Sequence, residues 1–326
     1  MTGAEGGLSG SYALCRRVHA MADRPTYLAT RLFLPPSARP HAHALYAFFT
    51  VSDTVADDGD PVLRERAFAR WSAASLAELR SGRSAHPLRA ALVHSAGVHG
   101  LEIGLFERFL AATRDDNTGA AEFATFADLR RFTAGVGGVP AVLGMRLLMR
   151  ADAERDRLVS QLGEVFQFVD VLRDLAVDLP AGRVYLPLED LERFGVTRAE
   201  LTGGGSGAAL DDLVRFQVDR VRELQREAAV VVDDLPARAR PFVTAGIAVH
   251  EAYFDEVDRL GAGALRHGVR LPKVDLLRRV GPAVLRGRVV GSGGGVQLER
   301  ARGRQPRRWV AGVGAQRAQQ QGDQSA

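Results

Sequence analysis

A single cysteine, Cys15, stands in a chain of 326 residues, so no intramolecular disulfide can form. The fold must rest on its core, and a reducing cytoplasm is the expected compartment. No apolar run approaches the ~20 residues that a bilayer-spanning helix needs. The opening MTGAEGGLSGSY also lacks a basic-then-apolar leader. A cytoplasmic protein is expected, with peripheral membrane contact as its nearest approach to a bilayer. Strand-like alternation and internal repeats are missing, which leaves an all-α reading. There is no dinucleotide fingerprint, so a nicotinamide cofactor is not indicated, and the GGGSG run after Thr202 has no preceding strand and reads as linker. His19, His41, His43, His86, His94, His99 and His267 show no metal-ligand spacing.

Formal charge is +4, from 43 basic and 39 acidic residues. Residues 291–326 alone carry Arg300, Arg302, Arg304, Arg307, Arg308 and Arg317 against Glu299 and Asp323, which equals the whole excess. The body is therefore near neutral and lacks the basic face of a nucleic-acid binder. By composition, residues 1–10 and 291–326 read as disordered, the latter a basic tail, and 11–290 as one helical domain.

What is present centres on QLGEVFQFVDVLRDLAVDLPAGRVYLP, residues 161–187. At helical spacing Gln167, Asp170, Asp174 and Asp178 share one face, while Leu162, Val165, Phe168, Val171, Leu172 and Leu175 cover the others. A helix apolar nearly all round is buried, and carboxylates on it are costly unless neutralised. A hard cation suits them, since Mg²⁺ takes one or two carboxylates and completes its shell with phosphate oxygens. Pro180 and Gly182 end the helix and return Arg183 and Tyr185 toward the same opening. Upstream, HALYAFFTVSDTVADDGD (residues 43–60) repeats the design, with Asp53 and Asp57 four apart behind an aromatic run. One such pair is commonly a solvated helix face. Two, each in an apolar helix, favour metal-bridged diphosphate.

Elsewhere the periodicity predicts amphipathic helices over 61–81 and 86–113, a loop at 115–120, and a helix from Asp128 to Arg150. Further helices are predicted over 209–233 and 236–261 and in a last segment near 274–288. The 128–150 helix contains Gly135, Gly137, Gly138 and Pro140, each glycine costing roughly 1 kcal/mol of helix stability. Either close helix packing or a kink that opens a cavity explains them.

These residues resemble the squalene/phytoene synthase family over roughly 11–275. Gln167 to Pro187 is similar to its second aspartate-rich motif with the following Gly-Arg-Val-Tyr-Leu-Pro loop, and Tyr46 with Asp53 and Asp57 to the first. Tyr12, Cys15-Arg16-Arg17, Thr26-Tyr27, Ala29, Leu34-Pro35 and Arg39 also match in order and spacing. The resemblance implies a single-domain, isoprenoid-synthase-type helical bundle around a central cavity, with Mg²⁺ (or Mn²⁺ in its place) holding a prenyl diphosphate between two acidic helices. Asp53, Asp57, Asp174 and Asp178, with Asp170 beside them, would then be metal ligands. Arg173 and Arg183 would hold the diphosphate, Gln167 would orient it, and Thr26, Tyr46, Thr50, Phe132, Tyr185 and His250 would line the substrate. Departures fall on substrate handling: Thr50 replaces an arginine, Thr54 an aspartate, Asp170 an asparagine, and Phe132 and His250 stand where phenols are expected. A lone histidine on an apolar helix is more often a packed residue than a base.

Three readings follow. The leading one is head-to-head condensation of two prenyl diphosphates to a phytoene- or squalene-like hydrocarbon. The second is prenyl transfer to an aromatic acceptor, favoured by the departures. The third is a non-catalytic assembly factor, against which the costly carboxylates argue.

Overall fold

The computed structural model describes residues 3–118, 122–180, 182–202, 207–237, 239–272, 274 and 278–282. The basic tail and most of the segment near 274–288 lie outside them. Among the described residues the only strand pairing is one isolated parallel bridge, Glu122 with Val184. The described residues fall into two compact units, one of residues 3–118 and one from residue 122 onward.

Among the described residues the first unit holds six helices: α1 (Gly3–Ala22), α2 (Arg24–Phe33), α3 (Arg39–Asp57), α4 (Pro61–Ser81), α5 (Arg89–His99) and α6 (Ile103–Thr118). Disorder was the expectation for residues 1–10, yet α1 begins at Gly3. One anchor is Ser11, whose buried hydroxyl donates to the Leu88 carbonyl and accepts from the Ala91 N–H. The 86–113 periodicity is split, because Gly100 takes φ +60 and stops α5. The helix that follows continues to Thr118, where a loop over 115–120 was expected; residues 119 and 120 lie outside the described residues. α3 is the centre of the unit, burying Phe48 against Phe106, Phe109 and Trp71. Cys15 is fully buried with its thiol pushed up to about 12 by burial, a core side chain and no nucleophile.

The second unit is built on α9 (Ala153–Asp178). Before it come α7 (Phe126–Thr133), a π-turn (Ala134–Gly138) and α8 (Val139–Arg146); after it come α10 (Leu188–Arg193), α11 (Arg198–Thr202), α12 (Ala208–Ala229), α13 (Val231–Asp234), α14 (Arg240–Leu260), a 3₁₀ turn (Gly261–Gly263) and α15 (Ala264–His267). α9 starts on Asp152, which accepts from the Arg155 N–H, with Glu154 and Asp156 favouring the positive helix end.

The glycines before α8 are explained by close packing, with a π-turn rather than an open kink. A Cβ on Gly137 would sit 2.5 Å from the Gly163 carbonyl oxygen and 2.9 Å from the Gln167 Cβ. A Cβ on Gly163 would meet the Gly137 oxygen at the same 2.5 Å. The two backbones touch where α9 carries Gln167, and π-turns of this kind often mark functional sites.

Candidate active site

On α9 the carboxylates already have a cation among themselves. The Arg173 guanidinium donates from Nε and Nη2 to the two oxygens of Asp174 at 3.0 and 2.9 Å, and from Nη1 to Asp170. All three side chains are largely buried. Burial alone would lower the Arg173 pKa, but the charges of Asp170 and Asp174 outweigh it and raise it. Asp178, one turn on, is 2% exposed, and its Oδ1 lies 3.6 Å from Arg183 Nε. Neutralisation of this helix therefore comes in part from Arg173 and Arg183, where the sequence pattern alone suggested a metal. The extra negative charge expected of Asp170 is matched in the same way. Val177, beside Asp178, faces solvent, so the helix is not apolar all round at its end.

The return loop is shaped by Gly182 at φ +77, which brings the Arg183 N–H onto the Asp178 carbonyl at 3.0 Å. It then buries Val184, Tyr185 and Leu186. The Tyr185 ring stacks on Phe132 and Phe123, with centroids at 5.9 and 6.2 Å, and Phe123 meets Phe132 at 5.3 Å. Phe123 was not singled out from the sequence; its only signal was an aromatic at the end of a polar loop.

His250 is a packed histidine. Its ring lies flat on Phe166 at 3.8 Å and its Nδ1–H donates to the Gly246 carbonyl at 2.6 Å. Burial, with the Arg173 charge behind it, lowers its pKa to about 4, so the ring is neutral. A phenol stands three residues further along α14. Tyr253 lies under the Arg173 guanidinium at 5.8 Å, and burial raises its pKa while Arg173 lowers it. An i+3 displacement on one helix keeps the same face, which is the signal that would have found it.

In the first unit, Asp53 is buried and Asp57 half-buried, one turn apart on α3. Tyr46 stacks on His19 at 3.7 Å with rings 5° from parallel, and its hydroxyl reaches Asp23 and Thr50. Its pKa is raised, first by burial and then by the Asp23 charge. Thr26 donates its N–H to Asp23 Oδ1 at the start of α2. Thr50, whose carbonyl accepts from the Thr54 hydroxyl, brings no cation to this face.

Carboxylate oxygens in pairs are the donor set of a hard divalent ion. Among the described residues no three His, Cys, Asp or Glu side chains gather into a ready-made cage. Mg²⁺ that shares its shell with phosphate needs only one or two carboxylates, so the residues present fit it.

An all-helical chain with two acidic helices of this composition has the fold of the isoprenoid synthases. Residues 20–278 match the squalene/phytoene synthase family, and the chain belongs to it. Members of that family transfer prenyl groups. The "Bifunctional protein CrtB/UppS" of Streptomyces coelicolor is 37% identical over 236 residues, 72% of this chain and 42% of that protein, so the chain spans under half of that relative's length. "Phytoene synthase" of Arthrospira platensis is 27% identical over 77% of this chain and 85% of its own. Among solved structures, squalene synthase HpnC from Alicyclobacillus acidocaldarius superposes with a TM-score of 0.72 at 25% identity, covering 78% of this chain and 95% of that one. A dehydrosqualene synthase in complex with ligand gives 0.74 at 20% identity over 85% and 96%, a likeness of fold.

Proposed function

We propose that this chain is an Mg²⁺-dependent prenyltransferase that ionises an allylic prenyl diphosphate and condenses two such molecules head to head into a phytoene- or squalene-like hydrocarbon. The observation that carries the reading is Arg173 held between Asp170 and Asp174 on a largely buried helix, beside Asp178 and Arg183. A guanidinium positioned in advance stabilises charge that grows on a leaving diphosphate without having to reorganise. Asp53, Asp57, Asp170, Asp174 and Asp178 are assigned to hold Mg²⁺, which when bound neutralises the diphosphate oxygens. Arg173 and Arg183 bind the same oxygens, and Gln167 orients the group. Tyr253 adds its phenol beside Arg173. Phe132 and Tyr185, with Phe123, offer apolar and π surface that excludes water from an allylic cation. Thr26, Tyr46 and Thr50 are assigned to substrate contact on the first acidic helix.

Purified protein incubated with Mg²⁺ and single or mixed prenyl diphosphates, followed by identification of the extracted products, tests this reading. Hydrocarbon formed from diphosphate alone is the expected result. Release only when an aromatic acceptor is added would replace it with aromatic prenylation. No release with any donor would leave a non-catalytic assembly factor. No helix among the described residues is long and apolar enough to cross a membrane. The apolar product suits peripheral contact with a bilayer, which cell fractionation checks.

A further inference from the structure

Three guanidinium groups of the first unit surround one opening that no carboxylate lines. A pocket of about 370 Å³ is bordered by Tyr12 and Arg16 of α1, Arg31 of α2, and Arg39, Pro40 and His43 of α3. Arg39 holds the Leu34 carbonyl at 2.9 Å and Arg31 reaches the Tyr27 hydroxyl at 3.4 Å. Among the described residues, none of the three arginines forms an ion pair. Their field is felt at the pocket floor. His43 is buried, and its pKa falls to about 4, first through burial and then through the charges of Arg16, Arg31 and Arg39.

Like charges gathered without a counter-charge raise the local potential and draw anions into the opening. Arg39 and Pro40 are also the first residues of α3, a helix of 19 residues whose N-terminal dipole adds to that potential. Guanidinium forks match phosphate oxygens in geometry, more closely than they match a spherical anion. None of the aspartates assigned to Mg²⁺ lines this pocket.

We propose that the Arg16–Arg31–Arg39 opening is a phosphate-binding site in its own right, taking a mono- or diphosphate group without a metal. The group is either a free anion or the headgroup phosphate of an anionic lipid, and the chemistry of recognition is the same. The inference does not rest on the proposed catalytic function.

Calorimetric titration of the full chain with inorganic diphosphate in excess EDTA reads this site, because metal-bridged binding at the aspartates is silent there. The same protein is floated with phosphatidylglycerol vesicles and with phosphatidylcholine vesicles. Arg16 and Arg31 are exposed, so R16Q/R31Q leaves the fold intact, which an unchanged melting midpoint verifies. Binding of free diphosphate, weakened at least ~10-fold in R16Q/R31Q and retained in Asp174→Asn, supports the site and identifies a free anion. Flotation with phosphatidylglycerol alone, lost in R16Q/R31Q, supports it and identifies a lipid. Absence of both, or binding that R16Q/R31Q leaves unchanged or that Asp174→Asn removes, overturns it.

Discussion

Gly137 and Gly163 lie backbone against backbone, each where the other's carbonyl oxygen leaves no room for a Cβ. The contact fixes α9 against the π-turn at the level of Gln167, so the rotation of the acidic face depends on two hydrogen atoms where side chains would be. Gly163→Ala is expected to destabilise the protein by ~3 kcal/mol, at the upper end of overpacking costs, because both obstacles are main chain. Gly97 is the control with the opposite sign. It is exposed within α5 and has open space around it. Gly97→Ala is expected to stabilise by ~0.5–1 kcal/mol. Urea unfolding midpoints of the two variants measure both.

Arg173 is the residue whose loss is expected to cost most in turnover. Arg173→Gln removes the proposed diphosphate contact and leaves Asp170 and Asp174 without their shared cation. A fall in kcat of about 100-fold or more is expected, the scale seen when one preorganised donor is lost. Arg173→Lys should recover little, because an ammonium cannot fork across Asp174 while reaching Asp170. Tyr253→Phe should lower kcat by a smaller factor, with the melting midpoint preserved. Steady-state product formation separates these outcomes.

Chelation is expected to abolish diphosphate release, and added Mg²⁺ to restore it. Asp53→Asn and Asp174→Asn should each raise the Mg²⁺ concentration needed for half-maximal rate, because each removes a formal charge from a hard-cation donor pair. A colorimetric assay of released diphosphate against Mg²⁺ concentration measures the shift.

Acid should unfold this protein earlier than its carboxylates alone would require. His19 is lowered to about 3 and His41 and His43 to about 4, in each case first by burial. An unfolded histidine titrates near 6.5, so protons bind the unfolded chain first as pH falls. The stability contributed by these neutral rings is whole above pH ~6.5 and is lost progressively toward pH ~4. The melting midpoint should drop across that window. His19→Phe/His43→Phe, which keeps aromatic bulk against Tyr46 and Tyr27, should drop less. Calorimetry at pH 7, 6, 5 and 4 gives the comparison.

Periodicity and punctuation made most helices legible. Asp178 before Pro180, Gly82 after Ser81 and Gly195 after Arg193 each mark an end the chain respects. Helix starts and the break at Gly100 were harder, because an apolar stripe runs on in sequence whether or not one left-handed glycine interrupts it. The aspartates were singled out by spacing, since i, i+3 and i+7 are neighbours on any helix, whereas Arg173 was named only through the family resemblance. Tyr253 was missed by one turn, and Phe123 because nothing local distinguishes it.

Composition and order alone determined that the protein is all-α, that no intramolecular disulfide supports it, and that the candidate aspartates fall in two runs on apolar helices. These follow from local rules: 3.6 residues per turn and the cost of leaving apolar surface in water. Tertiary packing decided that Arg173 neutralises Asp170 and Asp174, that His250 is spent on Gly246 and Phe166, and that His41 and His94 meet at the Tyr12 hydroxyl with His99 against the His41 ring. Partners of that kind come from turns far apart in the chain or from rotamers chosen within one, and no sequence interval encodes which way a long side chain will reach.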